Sequence, residues 1–395
     1  MLIKENEKVK AVSSNFYNYI FKKENGTFLR WGKSLNDDPI MAPLPEILDL
    51  EISQGKCSGK CPECYKCNGD VNKTINLSFK DFRKIFHNVA NTVLEVKYKN
   101  QEPYFNSLFH MLEIDNFYDD CLTKNDFIKR FCLNIDKEIE YIKIYNKGML
   151  TQIAFGICDL DTNPDFLKMM KYCREFDVIP NFTFNGNGLT NELAEEISKV
   201  AGAVAISNHK NTYDCVKTLT DKGMKQINIH FIVHDKSYDS IFKLIDDIKT
   251  DSRLEKLNAL VLLRYKPKGN NRDKFKQITL EQYKNIINYS IQKGVSIGFD
   301  SCSAPLYLQV VKDNPELKKT EIFVEPCESS LFSSYINCKG EFYACSFCEG
   351  EGMWKTGINV LNQDFKDVWN NTQANKFREK LLKNNRRCPM FGGLK

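Results

Sequence analysis

The residues most suited to chemistry in this chain are three closely spaced cysteines. Cys57, Cys61 and Cys64 occur within CSGKCPEC, and the chain holds 15 cysteines among 395 residues. It begins MLIKENEKVK, without an apolar signal segment, so clustered cysteines predict metal binding rather than disulfides. Three thiolates in one loop can bind three irons of a 4Fe–4S cubane, which leaves the fourth iron open to a ligand.

The composition argues against a nucleic-acid or membrane partner. Lys and Arg number 56 against 51 Asp and Glu, a net charge of +5, and the two signs are interspersed. The apolar run ALVLL at 259–263 falls far short of the roughly 18 residues that a membrane span needs. We therefore expect a cytoplasmic protein.

The cysteine loop lies between a predicted strand and a predicted helix. ILDLEIS at 47–53 reads as a strand, and apolar residues recur at helical spacing through 78–93. The same unit recurs later, with strands predicted at 151–156, 179–185, 202–207, 226–233, 259–266 and 295–300. This alternation predicts an α/β fold with a parallel sheet and right-handed crossovers. Six strand–helix units and a closing strand are fewer than the eight of a complete barrel.

Three regions fall outside this rhythm. Asn25-Gly26, flanked by aromatic and β-branched residues, predicts a β-hairpin over 16–32. Residues 94–147 are charged and aromatic, and we expect a mostly helical insertion there. Two short strands are predicted around Lys339-Gly340, followed by helices. The predicted units are an N-terminal hairpin extension, a barrel with its insertion and a C-terminal domain, over 1–46, 47–300 and 301–395.

The loop CX3CX2C after the first strand resembles the signature of the radical S-adenosylmethionine (SAM) superfamily. That resemblance implies a partial (β/α)6 barrel in which SAM chelates the open iron of a 4Fe–4S cluster. Reductive cleavage of SAM then gives a 5′-deoxyadenosyl radical that abstracts hydrogen from substrate. This chain departs from the family at Glu63, where an aromatic residue is usual. The alternative is a zinc ribbon pairing Cys64-x2-Cys67 with Cys345-x2-Cys348, whose separation of roughly 280 residues far exceeds the usual 15 to 20.

The resemblance also implies SAM contacts at the ends of four later strands. Three of these polar residues have an alternative structural role, as a helix cap for Asp159, a turn residue for Asn185 and a core residue for His230. Aligned on the Pro-Asp-Phe that follows, Asp159 takes the place of the family's acidic residue toward the SAM ammonium. The ribose hydroxyls and the methionyl carboxylate are assigned to the other strand ends, at Asn185, Ser207, Asn208 and His230.

The C-terminal region resembles the SPASM and twitch auxiliary-cluster domains. Cys327-x12-Gly340-x4-Cys345 matches their opening CX9-15GX4C element, whereas the later CX2CX5CX3C element is absent. The truncated pattern implies one auxiliary 4Fe–4S cluster rather than two. Its predicted ligands are Cys302, Cys327, Cys345 and Cys388, with Cys348 as a substitute. We expect Cys338 to be a spare thiol.

The whole chain resembles a group of radical SAM proteins without an assigned substrate, through segments such as FLRWGKSLNDDP, GFDSCSAP and CESSLFSSYIN. Cys67 departs from that group, and we expect it to be an unligated thiol. Because SPASM and twitch domains often accompany peptide maturases, we predict a peptide or protein substrate and a flavodoxin- or ferredoxin-like electron donor. The alternatives are a nucleoside or other small-molecule substrate, or a non-catalytic iron–sulfur or zinc protein. Cys158 is a candidate hydrogen donor to a substrate radical.

Overall fold

The computed structural model describes residues 1–66, 74–114, 121–133, 138–269 and 272–391. Cys67, which we expect to be unligated, lies outside these residues.

The N-terminal region is an antiparallel sheet. The hairpin predicted over 16–32 is present, and two earlier strands extend it to four strands in sequential order. The sheet is fixed to the barrel by two buried side chains, because the hydroxyl of Tyr19 donates to the carbonyl of Met149 at 2.8 Å and the ammonium of Lys10 to that of Leu150 at 3.0 Å. Its strands are β1 (Leu2–Glu5), β2 (Val9–Ser13), β3 (Asn18–Lys22) and β4 (Phe28–Trp31).

The first barrel strand is followed by the cysteine loop, a helix and an inserted sheet. The elements are β5 (Ile47–Glu51), β6 (Ser53–Gln54), β7 (Ile75–Asn76), α1 (Phe79–Ala90), β8 (Thr92–Tyr98), β9 (Tyr104–Ser107), α2 (Leu108–Ile114), α3 (Lys124–Cys132) and β10 (Ile139–Asn146). The mostly helical insertion was a wrong prediction, since β8 pairs with both β9 and β10 in an antiparallel sheet. In the last five residues of TVLEVKY, buried apolar residues alternate with more exposed charged residues, which explains the strand.

The predicted series of strands and helices is confirmed. Its elements are β11 (Gln152–Gly156), α4 (Phe166–Glu175), β12 (Ile179–Phe184), α5 (Asn191–Val200), β13 (Val204–Ser207), α6 (Thr212–Asp221), β14 (Ile227–Val233), α7 (Tyr238–Thr250), β15 (Ala259–Arg264), α8 (Leu280–Gln292), β16 (Ile297–Phe299) and α9 (Ala304–Asp313). Polar caps start several helices. At α8, Thr279 and Gln282 form a reciprocal capping box.

The C-terminal region contains the two predicted strands and two predicted helices. They are β17 (Ser333–Ile336), β18 (Glu341–Tyr343), α10 (Phe365–Trp369) and α11 (Thr372–Lys383), and a short β19 (Ile358–Asn359) lies between them. Gly340 makes the β17–β18 turn with φ of 74°. A Cβ at this position would lie 2.7 Å from the side chain of Leu361, so the turn requires glycine.

One sheet connects the barrel with the C-terminal region. Its order is β16-β15-β14-β13-β12-β11-β5-β17-β18-β19, and the pairing is parallel from β16 through to β17. The predicted α/β fold with a partial barrel is therefore confirmed. Among the helices that the structure describes, none is both long and apolar enough to cross a membrane.

Candidate active site

A cavity of about 640 Å³ lies at the carboxyl ends of the barrel strands. Catalytic groups gather at this end of parallel barrels because the loops that follow the strands meet there. The volume is within the range of about 300 to 1,000 Å³ that is usual for ligand pockets. Its lining includes the loop cysteines, four of the predicted SAM-contact residues and a C-terminal aromatic residue, namely Cys57, Cys61, Cys64, Asn185, Ser207, Asn208, His230 and Phe347.

The cysteine loop brings its three thiols to this cavity in a partly exposed state. The loop follows β5, and the backbone N–H of Cys64 donates to the carbonyl of Cys61 at 3.2 Å. A hydrogen bond from Cys158 lowers the pKa of Cys57 to about 6, whereas burial raises the pKa of Cys61 to about 12. In the described part of the chain, no three His, Cys, Asp or Glu side chains are arranged around a single metal ion. The thiolates of a cubane bind separate irons, and three thiols in one cavity-facing loop fit that donor set.

Two of the strand-end residues contact the cysteine loop directly. The carboxylate of Asp159 accepts from the backbone N–H of Ser58 at 3.0 Å and from the hydroxyl of the same residue at 2.9 Å. The amide of Asn185 donates to Asp159 and lies 3.5 Å from the sulfur of Cys57. The structure therefore joins both residues to the loop, and the carboxylate of Asp159 is occupied by these donors.

The other predicted SAM contacts face the open cavity. Ser207 and Asn208 follow β13, and His230 lies on the cavity side of β14. Burial lowers the pKa of His230 to about 4, so its ring is neutral near pH 7. These three side chains can accept or donate hydrogen bonds to a polar ligand at the mouth of the barrel.

A second group of cysteines lies in the C-terminal region. The sulfurs of Cys345 and Cys348 are 3.5 Å apart, and the hydrogen bond from Cys348 lowers the pKa of Cys345 to about 6. Three further thiols are close enough to interact electrostatically with Cys345, namely Cys302, Cys327 and Cys388. These five residues are the predicted auxiliary ligands and their substitute. Cys338 is buried elsewhere, with its sulfur 4.0 Å from the side chain of Gln54.

The comparisons with known proteins agree with this division. Residues 327–390 match the SPASM family, an iron–sulfur cluster-binding domain. SuiB of Streptococcus suis, solved with the precursor peptide SuiA, superposes with a TM-score of 0.61 at 12% identity, over 95% of this chain and 90% of SuiB. The chain has the fold of a radical SAM enzyme with a C-terminal SPASM domain.

A second solved structure supports the same fold. anSMEcpe, solved with AdoMet and the Cp18Cys peptide, superposes with a TM-score of 0.53 at 11% identity, over 87% of this chain and 86% of that chain. No curated protein sequence matches the chain significantly. The SPASM match contains Cys327, Cys345, Cys348 and Cys388, and it begins after Cys302.

The loop of the radical SAM barrel and the SPASM domain are in direct contact. The ring of Tyr65 stacks on that of Phe347, with centroids 4.2 Å apart. The ammonium of Lys66 lies 3.1 Å from the carboxylate of Glu51 and also binds that of Glu349. Position 65 directly follows Cys64, and position 349 directly follows Cys348. The two cysteine groups are therefore held together by the residues beside them.

Several residues around this cavity were not predicted from the sequence. His209 places its Nε2 atom 3.2 Å from the sulfur of Cys61, and Asp49 faces the cavity from β5. Lys266 and Asp300 form an ion pair at 2.5 Å that also lines the cavity. His209 could have been found, since it directly follows Ser207-Asn208 at a strand end. The other three depend on which face of a strand or loop turns inward.

Proposed function

We propose that this chain is a radical SAM enzyme that modifies a peptide or protein substrate. Cys57, Cys61 and Cys64 would hold a 4Fe–4S cluster, and SAM would bind its open iron. When bound, the cluster supplies the electron that cleaves SAM, and the resulting 5′-deoxyadenosyl radical takes hydrogen from the substrate. The chain's own residues bind and orient these groups and exclude water from the cavity.

The observation that carries the proposal is that one cavity is bordered by both the loop cysteines and the SPASM domain. Its volume leaves room for a nucleoside together with part of a substrate. The fold supports a peptide substrate, because SuiB was solved with a precursor peptide and anSMEcpe with the Cp18Cys peptide. Both superpose over most of the chain.

Cavity-facing polar residues suit the contacts that SAM requires. Asn185, Ser207, Asn208 and His230 would bind the ribose hydroxyls and the methionyl carboxylate, since each lines the cavity. The proposed contact from Asp159 to the SAM ammonium remains a prediction, and it would share the carboxylate with Ser58.

One auxiliary 4Fe–4S cluster would occupy the SPASM domain. Its four ligands would be Cys302, Cys327, Cys345 and Cys388, and Cys348 is the substitute that would complete the cluster in place of Cys388. The electrostatic interaction of these thiols with Cys345, and the 3.5 Å contact of Cys348 with it, support a cluster at this place. A flavodoxin- or ferredoxin-like protein in an oxygen-poor cytoplasm would supply the electron.

The test is to count iron and sulfide after anaerobic reconstitution. We expect about eight irons per chain, falling to about four when Cys57, Cys61 and Cys64 are replaced by Ala. Cys338→Ala is the control, because this buried thiol lies apart from both groups and its loss should leave the count unchanged. Stoichiometric zinc with little iron would overturn the proposal and leave a metal-stabilised binding protein.

The reaction is tested with dithionite, SAM and peptides encoded near the gene. We expect 5′-deoxyadenosine from the wild type and none from the triple Ala variant. With unlabelled SAM and a deuterated peptide, transfer of deuterium into 5′-deoxyadenosine would identify the peptide as the substrate. Deuterium transfer from nucleosides instead of peptides would favour the small-molecule alternative.

A further inference from the structure

Three successive barrel strands each end in a polar side chain that reaches the cysteine loop. After β11, Asp159 accepts from Ser58, and after β12, Asn185 lies beside the sulfur of Cys57. After β13, the Nε2 atom of His209 lies 3.2 Å from the sulfur of Cys61. These three side chains contact Cys57, Ser58 and Cys61, so the loop is held at its first and second cysteines.

The position of His209 is fixed by its own backbone and by the next helix. Its N–H donates to the hydroxyl of Thr212 at 2.8 Å, and that hydroxyl donates to the carbonyl of Ser207 at 2.7 Å. These bonds hold the backbone of His209 at the start of α6, and one ring nitrogen points toward the loop. Iron-bound thiolate has no proton to donate, so at this contact the ring N–H is the donor and the sulfur of Cys61 is the acceptor.

Hydrogen bonds to the sulfurs of an iron–sulfur cluster raise its reduction potential, because they stabilise the extra negative charge of the reduced state. A radical SAM cluster must accept an electron before SAM can be cleaved. A donor on one ligand would therefore make that step easier without touching SAM or the substrate.

We propose that His209 is a positioning residue that donates a hydrogen bond to Cys61 and raises the reduction potential of the SAM-binding cluster. Asp159 and Asn185 fix the loop so that this contact is kept. The inference rests on the proposed function, since it requires a cluster on Cys57, Cys61 and Cys64.

The experiment is a redox titration of the reconstituted full-length protein, followed by electron paramagnetic resonance. The SAM-binding cluster is recognised by the change of its signal when SAM is added. His209→Leu removes the donor, and we expect the midpoint potential of the SAM-binding cluster to fall by about 59 mV. This shift is a tenfold change in the equilibrium constant for one-electron reduction. His209→Gln keeps an N–H donor, and we expect it to restore much of the shift.

The control is His110→Leu, which removes an exposed histidine paired with Glu113 on α2. Its midpoint potential should equal that of the wild type. The inference is overturned if His209→Leu keeps its iron and its potential, or if it loses the iron of the first cluster, because His209 would then serve only to hold the loop. If the wild type binds iron only in the SPASM domain, the proposed function fails as well, and the iron count distinguishes that case.

Discussion

Asp49 is a carboxylate on β5 that lies below the surface of the protein and is exposed to the space of the cavity. Burial raises the pKa of Asp49 to about 7, with the charge of Cys345 adding to the effect. The unfolded value is about 3.9. The folded state therefore binds the proton more tightly, so Asp49 reduces stability as pH rises from about 4 to about 7, and the full penalty is present above pH 7.

Replacing Asp49 with Asn removes this penalty. We expect Asp49→Asn to unfold at a higher temperature than the wild type at pH 8, with a difference that shrinks toward pH 5. Thermal unfolding of the cluster-loaded protein under anaerobic conditions measures it. Glu24→Gln, on the exposed turn before Gly26, is the control and should show no such trend. A difference independent of pH would contradict the prediction.

Lys66 is the cation between two largely buried carboxylates, those of Glu51 and Glu349. Removing it leaves both carboxylates without their cation, with only neutral donors from Tyr335 and Asn337, and breaking a buried pair costs about 3 to 5 kcal/mol. We expect Lys66→Met to lower the free energy of unfolding in urea by about that amount. Adding Glu51→Gln should recover part of the loss.

The matched control is Lys199→Met, which removes an exposed lysine 2.9 Å from Glu196. An exposed pair contributes at most about 1 kcal/mol, so little change is expected. Equal losses of unfolding free energy in the two Lys→Met variants would contradict the prediction, because breaking the Lys66 pairs would then cost no more than breaking an exposed pair.

At the scale of elements, the loop after β15 closes tightly over the cysteine loop. Gly269 has φ of 87°, and a Cβ there would lie 2.3 Å from the carbonyl oxygen of Cys64. Gly223 has nearly the same φ, 89°, with no atom within 4 Å of its Cβ position. The two positions therefore share the cost of a left-handed backbone and differ in the collision alone.

We expect Gly269→Ala to lose iron from the first cluster while iron in the SPASM domain remains. Gly223→Ala should be destabilised by about 1 kcal/mol and keep both. Iron analysis of the two variants, beside thermal unfolding, checks this. Similar iron contents would mean that the loop can move away from Gly269.

The sequence predicted the elements that depend on local pattern, and it failed where distant segments meet. The barrel strands are predictable because short apolar runs alternate along the chain with segments whose apolar residues recur at helical spacing, as at 226–233 and α7. The prediction for the insertion is wrong because the segment is charged and interrupted, and the alternation in β8 extends only over residues 94–98. The contact of Lys66 with Glu349 joins positions 283 residues apart, and nothing local to either residue indicates it.

At the scale of the whole molecule, Arg30 links three regions. From β4 its guanidinium binds the carboxylate of Glu328 at 2.6 Å, lies 3.3 Å from that of Glu46 and rests 4.0 Å above the ring of Phe332. Only 8% of its side chain is exposed. The N-terminal sheet, the start of the barrel and the SPASM domain are therefore joined at one buried cation.

We expect the three regions to unfold together. The chain has a third tryptophan, Trp31 on β4, so fluorescence of a Trp31→Phe background reports the SPASM core through the buried Trp354 and Trp369. Far-ultraviolet circular dichroism reports the helices and strands of the whole chain. The two transitions should coincide in the Trp31→Phe protein, and Arg30→Leu should lower the free energy of unfolding by about 3 to 5 kcal/mol. An earlier fluorescence transition would show that the SPASM domain unfolds independently.

The parallel pairing of β5 with β17 also has a consequence for synthesis of the chain on the ribosome. Glu51 and its hydrogen-bond partner Tyr335 are 284 residues apart. At about 5 to 20 residues per second, β5 leaves the ribosome roughly 15 to 60 s before its partner is made. Throughout that interval β5 lacks its neighbour on one side, and such an edge is open to wrong pairing. The cysteine loop that follows β5 contacts Phe347 and Glu349, which are also made late. The first cysteines to be synthesised are therefore among the last to gain all of their native contacts.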